Sequence, residues 1–185
     1  TVDEETGLTG AFRLQDGCLN GKQLINLDSE DDGQVFIGCA GGIDTLAKMH
    51  YEAMRLEAKG ERLAIHLKVG GLMGGHSGDD INKGRGNANK ILVRFLYQVM
   101  NATDMQLATI NGGNLRNAIA REAEAVIAIP MAYKEDIRVM LNHYIATIES
   151  EIGDVEKDFF MSLETTDMPE LFIPQASAKR LLQAL

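Results

Sequence analysis

The 185-residue chain is 45% apolar and 24% charged, with a formal net charge of −9 at pH 7, a balance that suits a globular protein with a buried core. Acidity of that size argues against nucleic acid as the main partner, since phosphate binding needs a basic face. No apolar run approaches the roughly 20 residues that span a bilayer, and two cysteines, Cys18 and Cys39, make no disulfide framework, so a cytoplasmic protein is expected.

The chain opens on Thr1-Val2-Asp3-Glu4-Glu5 without Met and stops inside a helical pattern that begins near Ser177. An internal piece of a longer protein is therefore expected. Leu24-Ile25-Asn26-Leu27 and the run from Gln34 to Cys39 read as two short strands around the acidic turn Asp28 to Asp32. From Ile43 to Leu56 the signals conflict. Good helix formers fill Thr45 to Leu56, whereas the turn at Ala58-Lys59-Gly60-Glu61 and the alternation from Leu63 to Val69 suggest a hairpin.

That alternation leads into Gly70-Gly71-Leu72-Met73-Gly74-Gly75-His76-Ser77-Gly78-Asp79-Asp80. Glycines here let the backbone bend sharply and approach a ligand closely, and they would allow His76 to swing over a substrate. The plainer reading is a solvated histidine on a surface loop. A phosphate-cradling loop is disfavoured, because the Lys-Ser/Thr ending is missing and Asp79-Asp80 would repel the anion.

Beyond the loop, Ala88, Leu92, Phe95, Leu96 and Val99 recur at helical spacing, predicting an amphipathic helix from about Arg85 to Met100. Met105 to Ile110 alternates as a strand closed by Asn111-Gly112-Gly113, and Ala123 to Ile129 is another, stopped by Pro130. Ile137, Met140, Leu141, Tyr144, Ile145, Ile148 and Ile152 mark one face of a second helix ending at Gly153, and Phe159 to Glu164 is a last strand. From Leu63 onward the order is β-α-β-β-α-β. This predicts an α+β ferredoxin-like sandwich: a four-stranded antiparallel sheet with two helices on one face.

The adjacent carboxylates Glu4 and Glu5 cannot point the same way on an extended chain. One can bind a metal while the other faces a water, an arrangement suited to metal-assisted hydrolysis. Asp28, at the end of a predicted strand, is a second possible ligand. Carboxylates alone would suit magnesium or calcium, and zinc usually wants a histidine as well. The residues alone therefore give half a metal site.

The segment from Thr1 to Phe12, with its Asp3-Glu4-Glu5 run, resembles the acidic-pair motif of the dizinc aminopeptidase and carboxypeptidase clan. Leu24 to Asp31 followed by Val35 to Gly42 narrows the resemblance to the aminoacyl-histidine dipeptidases, which are Xaa-His dipeptidases of the carnosine-hydrolysing type. Gly74 to Ile81 and Ile110 to Ile119 are similar to the lid domain of that family, and the likeness thins after Pro130. The resemblance implies that residues 1–42 come from the zinc-binding catalytic domain and residues 43–185 from a lid and dimerisation domain. It also implies a long strand over 43–56 pairing with Leu63 to Val69.

For the site, the resemblance implies that Glu4 is the general base, that Glu5 and Asp28 each bind one of two zinc ions, and that His76 stabilises the oxyanion. Asn117, with Arg116, would contact the backbone or carboxylate of a dipeptide substrate; the plainer reading of the pair is a turn ahead of a strand. Ala120 stands where the family commonly has proline, which puts the loop's rigidity in question. The N-terminal histidine, bridging aspartate and C-terminal histidine of the family's dizinc site have no matching motif here. Zinc affinity needs a complete deprotonated ligand set, so the chain by itself is expected to be inert although its parent is a hydrolase. A homodimer is expected, and a lid-derived dimerisation or interaction module without catalysis is the alternative function.

Overall fold

The structure is a computed structural model that describes residues 3, 7–25, 27, 32–38, 43, 45–56 and 60–185. The chain falls into two units, Thr1–Lys48 and Met49–Leu185. Among the described residues, the first unit holds one helical turn, α1 (Thr9–Phe12), and neither strand expected at 24–27 or 34–39 forms; Asn26 and Cys39 lie outside them. Strands need a paired neighbour and a buried face. Here Leu24, Ile25, Leu27, Val35 and Ile37 are all more than four-fifths exposed.

The strands of the second unit are, in chain order, β1 (Arg62–Gly70), β2 (Gly75–His76), β3 (Gln106–Gly112), β4 (Ala118–Ile119), β5 (Ala123–Pro130) and β6 (Phe160–Thr165). Four of them form one antiparallel sheet in the order β3-β5-β1-β6, and the short β2 and β4 pair with each other. The four-stranded order is the one expected for the ferredoxin-like arrangement. A β-bulge between Leu107 and Thr109 shifts the β3–β5 register. Between these strands run α2 (Ala88–Ala102) and α3 (Lys134–Ile152). The Asn87 carboxamide caps α2 by accepting the N–H groups of Asn89 and Lys90 at 3.0 and 3.3 Å, satisfying donors that the first turn leaves free. Gly153 follows the last turn of α3.

Alternation sorts the sheet into two faces. Ile65, Leu67 and Val69 of β1, with Ala125, Ile127 and Ile129 of β5, join the helix stripes in one buried core. Phe95 and Tyr144 meet within it, ring centroids 5.3 Å apart. The Tyr144 hydroxyl donates to the Ile91 carbonyl at 2.8 Å. Burial pushes its phenol up to about 12, because the charged form would lose hydration. A further helix, α4 (Gln175–Ala184), forms where the sequence shows a helical pattern near Ser177 and brings Ala178 and Leu182 into this core.

The opposite face is largely polar. His66 and Glu124 pair across it at 3.0 Å, and its own apolar cluster is confined to Ala108, Ala128 and Phe172 with Leu56 and Val126. The strand expected over 43–56 does not pair with β1. Both edges of β1 are already taken by β5 and β6. Among the described residues, this segment pairs through a bridge from Met54 to Phe172 instead.

Candidate functional site around the glycine loop

The chain leaves β1 through a turn that needs glycine. At Gly71, φ is +74° and a Cβ would run into the Asp158 carbonyl. At Gly75, φ is +137° and a Cβ would meet the Arg85 guanidinium and the Asp80 carboxylate. Such backbone is reached at little cost only without a side chain. These glycines therefore serve a close-packed turn, where free swinging of His76 was expected.

His76 lies in β2, which pairs with β4 as a two-stranded ribbon. Its ring is exposed, and its Nδ1 accepts the N–H of Gly78 at 3.0 Å and of Asp79 at 3.3 Å. An accepting Nδ1 leaves the ring proton on Nε2, making that nitrogen a hydrogen-bond donor. The short loop after the histidine thus selects a tautomer, a role the sequence gives no sign of.

Asp80 braces the same loop from inside. Its carboxylate accepts the His76 N–H at 2.8 Å and the Lys83 ammonium at 2.7 Å, and lies 3.0 Å from the Arg85 guanidinium. Those contacts, that of Lys83 foremost, hold its carboxyl below the usual value. Arg85 in turn donates to the Gly74 carbonyl at 2.6 Å. At the neck of the loop stands Glu156, 3% exposed. Its two carboxylate oxygens accept the N–H groups of Met73 and Gly86, each at 2.8 Å.

Arg116 and Asn117 form the turn just before β4, and the Asn117 carbonyl accepts the Ser77 N–H at 2.8 Å. The structure therefore brings Asn117 beside His76 through the ribbon. Arg116 is exposed next to it. A groove of about 580 Å³ runs along this side, lined among others by Lys68, Asn111, Leu115, Ala118, Arg121 and Glu124. Gly75, Leu115 and Ala118 line it, whereas their neighbours His76, Arg116 and Asn117 do not.

Glu4, Glu5 and Asp28 lie outside the described residues. Among the described residues, no group of three or more His, Cys, Asp or Glu side chains is placed to hold a metal ion, and no helix is long and apolar enough to cross a membrane. Sequence reasoning missed Asp80, Arg85 and Glu156 as organisers of the loop. Only Asp79-Asp80 offered a signal, as charge repelling an anion.

Residues 67–156 match the family model of the peptidase dimerisation domain. Over 165 residues the chain is 42% identical to the cytosol non-specific dipeptidase of Escherichia coli (strain K12), covering 89% of this chain and 34% of that protein. The crystal structure of aminoacylhistidine dipeptidase from Vibrio alginolyticus matches at 35% identity with a TM-score of 0.76, covering 100% of this chain and 37% of that one. The chain spans about a third of the length of these relatives.

Proposed function

We propose that the chain, whose residues 67–156 match the model of the peptidase dimerisation domain, supplies the lid domain of a zinc dipeptidase acting on Xaa-His dipeptides such as carnosine. One observation carries the reading: backbone donors at Gly78 and Asp79 occupy His76 Nδ1, so Nε2–H is held ready as a donor. A fixed donor suits the negative charge that grows on a scissile carbonyl oxygen. Asn117, held beside His76 by the ribbon, takes the role of orienting the substrate's polar backbone, with Arg116 next to it.

In this reading residues 1–42 belong to the catalytic domain and residues 43–185 to the lid. Glu5 and Asp28 are its zinc ligands and Glu4 its general base. Two zinc ions would lower the pKa of a bound water. The described residues contribute no further ligand cluster, so the lid's own part is to bind and orient substrate and to offer the His76 proton. A cytoplasmic setting and a dipeptide substrate accord with the names of the relatives.

Two measurements test the proposal. Carnosine with added zinc is not turned over by the 185-residue chain alone; turnover at an ordinary enzymatic rate would overturn the incompleteness of its metal site. In a longer peptidase containing this chain, His76→Ala lowers kcat by about a hundredfold or more, the size of a lost oxyanion donor, with KM little changed. Wild-type kcat in that variant would remove His76 from the chemistry.

The alternative is a dimerisation module without catalysis, favoured by the edge strands β3 and β6, each paired on one side only within the sheet. Sedimentation equilibrium tests the homodimer that both readings share. A dimer is expected under both readings, and a monomer at every concentration would leave the lid role without its proposed homodimer.

A further inference from the structure

We infer that Glu156 is a positioning residue for His76, acting as a clasp on the neck of the loop that carries it. This inference rests on the reading of His76 as the donor to the scissile carbonyl. Glu156 lies just past the end of α3 and is 3% exposed, a rare place for a carboxylate unless every oxygen is satisfied. Each oxygen takes one backbone N–H at 2.8 Å. One is from Met73, 83 positions earlier, and the other from Gly86, 70 positions earlier. Those two amides are the two ends of the His76 loop, so one side chain closes it into a ring.

Several contacts that orient His76 lie inside that ring, beside its pairing with Ala118 and the Ser77 N–H bond to the Asn117 carbonyl. Gly74 is held by Arg85, the His76 N–H by Asp80, and the ring Nδ1 by Gly78 and Asp79. Around the neck, Leu72 is 5% exposed, and a Cβ on Gly86 would come within 2.9 Å of both Leu72 and Ile152. At Gly86 the clasp therefore sits in a buried, close-packed place, where charge-assisted hydrogen bonds are strong and their loss is costly, and at Met73 it is part-buried. Without Glu156 the buried Gly86 amide and the part-buried Met73 amide lose their acceptor, and the neck must open for water to reach the Gly86 amide. His76 would then lose the fixed frame that holds its tautomer.

The test uses the 185-residue chain for structure and a longer peptidase containing it for chemistry. In Glu156→Ala, hydrogen exchange at the Met73 and Gly86 amides accelerates about tenfold or more, while core amides such as that of Ile127 keep their protection. Nitrogen NMR of the His76 ring shifts from the single Nε2–H form toward a tautomer mixture, a change that general loss of stability would not single out. Glu156→Gln keeps one acceptor oxygen and falls between the two. In the longer peptidase, Glu156→Ala lowers kcat with KM nearly unchanged, and Glu156→Gln restores part of it.

A folded Glu156→Ala chain with unaltered Met73 and Gly86 exchange and an unaltered His76 tautomer overturns the inference. Should Glu156→Ala fail to fold, Glu156→Gln decides: faster exchange at those two amides supports the clasp, and unchanged exchange ends it. The underlying functional reading fails separately. If the clasp variants loosen His76 but His76→Ala leaves hydrolysis unchanged, Glu156 positions a residue that does no chemistry.

Discussion

The helix-packed face of the sheet and the β2–β4 ribbon are held together by different physics. On the first, Ile65, Leu67, Phe95, Ile127 and Ile148 are excluded from water by three helices, and stability grows with the apolar area removed. The ribbon has only two residues in each strand, of which Ile119 alone is buried. It is kept in place by named polar contacts from Asp80, Arg85 and Glu156. Burial of area is forgiving of detail, whereas a small set of directed hydrogen bonds is not. A site that must place one imidazole is therefore built from the second kind of contact and leans on the first for its foundation.

Breaking the foundation should give the largest effect. Phe95→Ala, at a fully buried position against Tyr144, is expected to cost about 3–5 kcal/mol in urea unfolding, with core and ribbon lost together. A cost under about 1 kcal/mol would mean the core face does not carry the stability assigned to it. Gly71→Ala comes next. The strained φ and the collision with the Asp158 carbonyl should destabilise by more than about 1 kcal/mol, seen as a lower melting temperature. Tyr144→Phe removes the hydroxyl that donates to Ile91 and should cost about 1 kcal/mol; no change in urea midpoint would make that bond idle.

A smaller, local effect is expected at Asp80. Its carboxyl is held below the usual value by Lys83 and the His76 N–H, so its contribution is complete above the ordinary aspartate range and lost as pH falls through its depressed folded value. Exchange of the His76 amide, corrected for intrinsic rate, should stay slow on acidification until below that range. Asp80→Asn should flatten the dependence. Smallest of all is His66→Ala on the polar face, where a half-exposed pair with Glu124 should be worth no more than about 0.5 kcal/mol. A larger loss in urea unfolding would show that this face carries more than solvation.

The sandwich was legible wherever local pattern and burial agree. The stripe Ala88, Leu92, Phe95, Leu96 and Val99 is fully buried on α2, and Ile137, Leu141, Tyr144 and Ile148 are buried on α3. Over 43–56 the local signals conflict, and the long strand that the resemblance implies there, pairing with Leu63 to Val69, does not form that pairing. The segment's actual state was set by β5 and β6 occupying both sides of β1. In the site, His76 stood out because glycines surround it. Its organisers did not: Glu156 is joined to the loop across 83 and 70 positions through main-chain N–H groups, which leave no trace in side-chain pattern.

The strand order β3-β5-β1-β6 also governs how this unit can emerge from a ribosome. β1 is made first of the four, yet its two neighbours, β5 and β6, come only after α2 and β3 have been translated, and β6 after α3 as well. Until then the apolar row Ile65, Leu67 and Val69 has no neighbouring strand and is open to wrong association, as expected for pairings distant in sequence. The residue that closes the His76 loop is made late too, just before β6. A nascent chain halted before Glu156 would hold the histidine and its glycines without the frame that orients them.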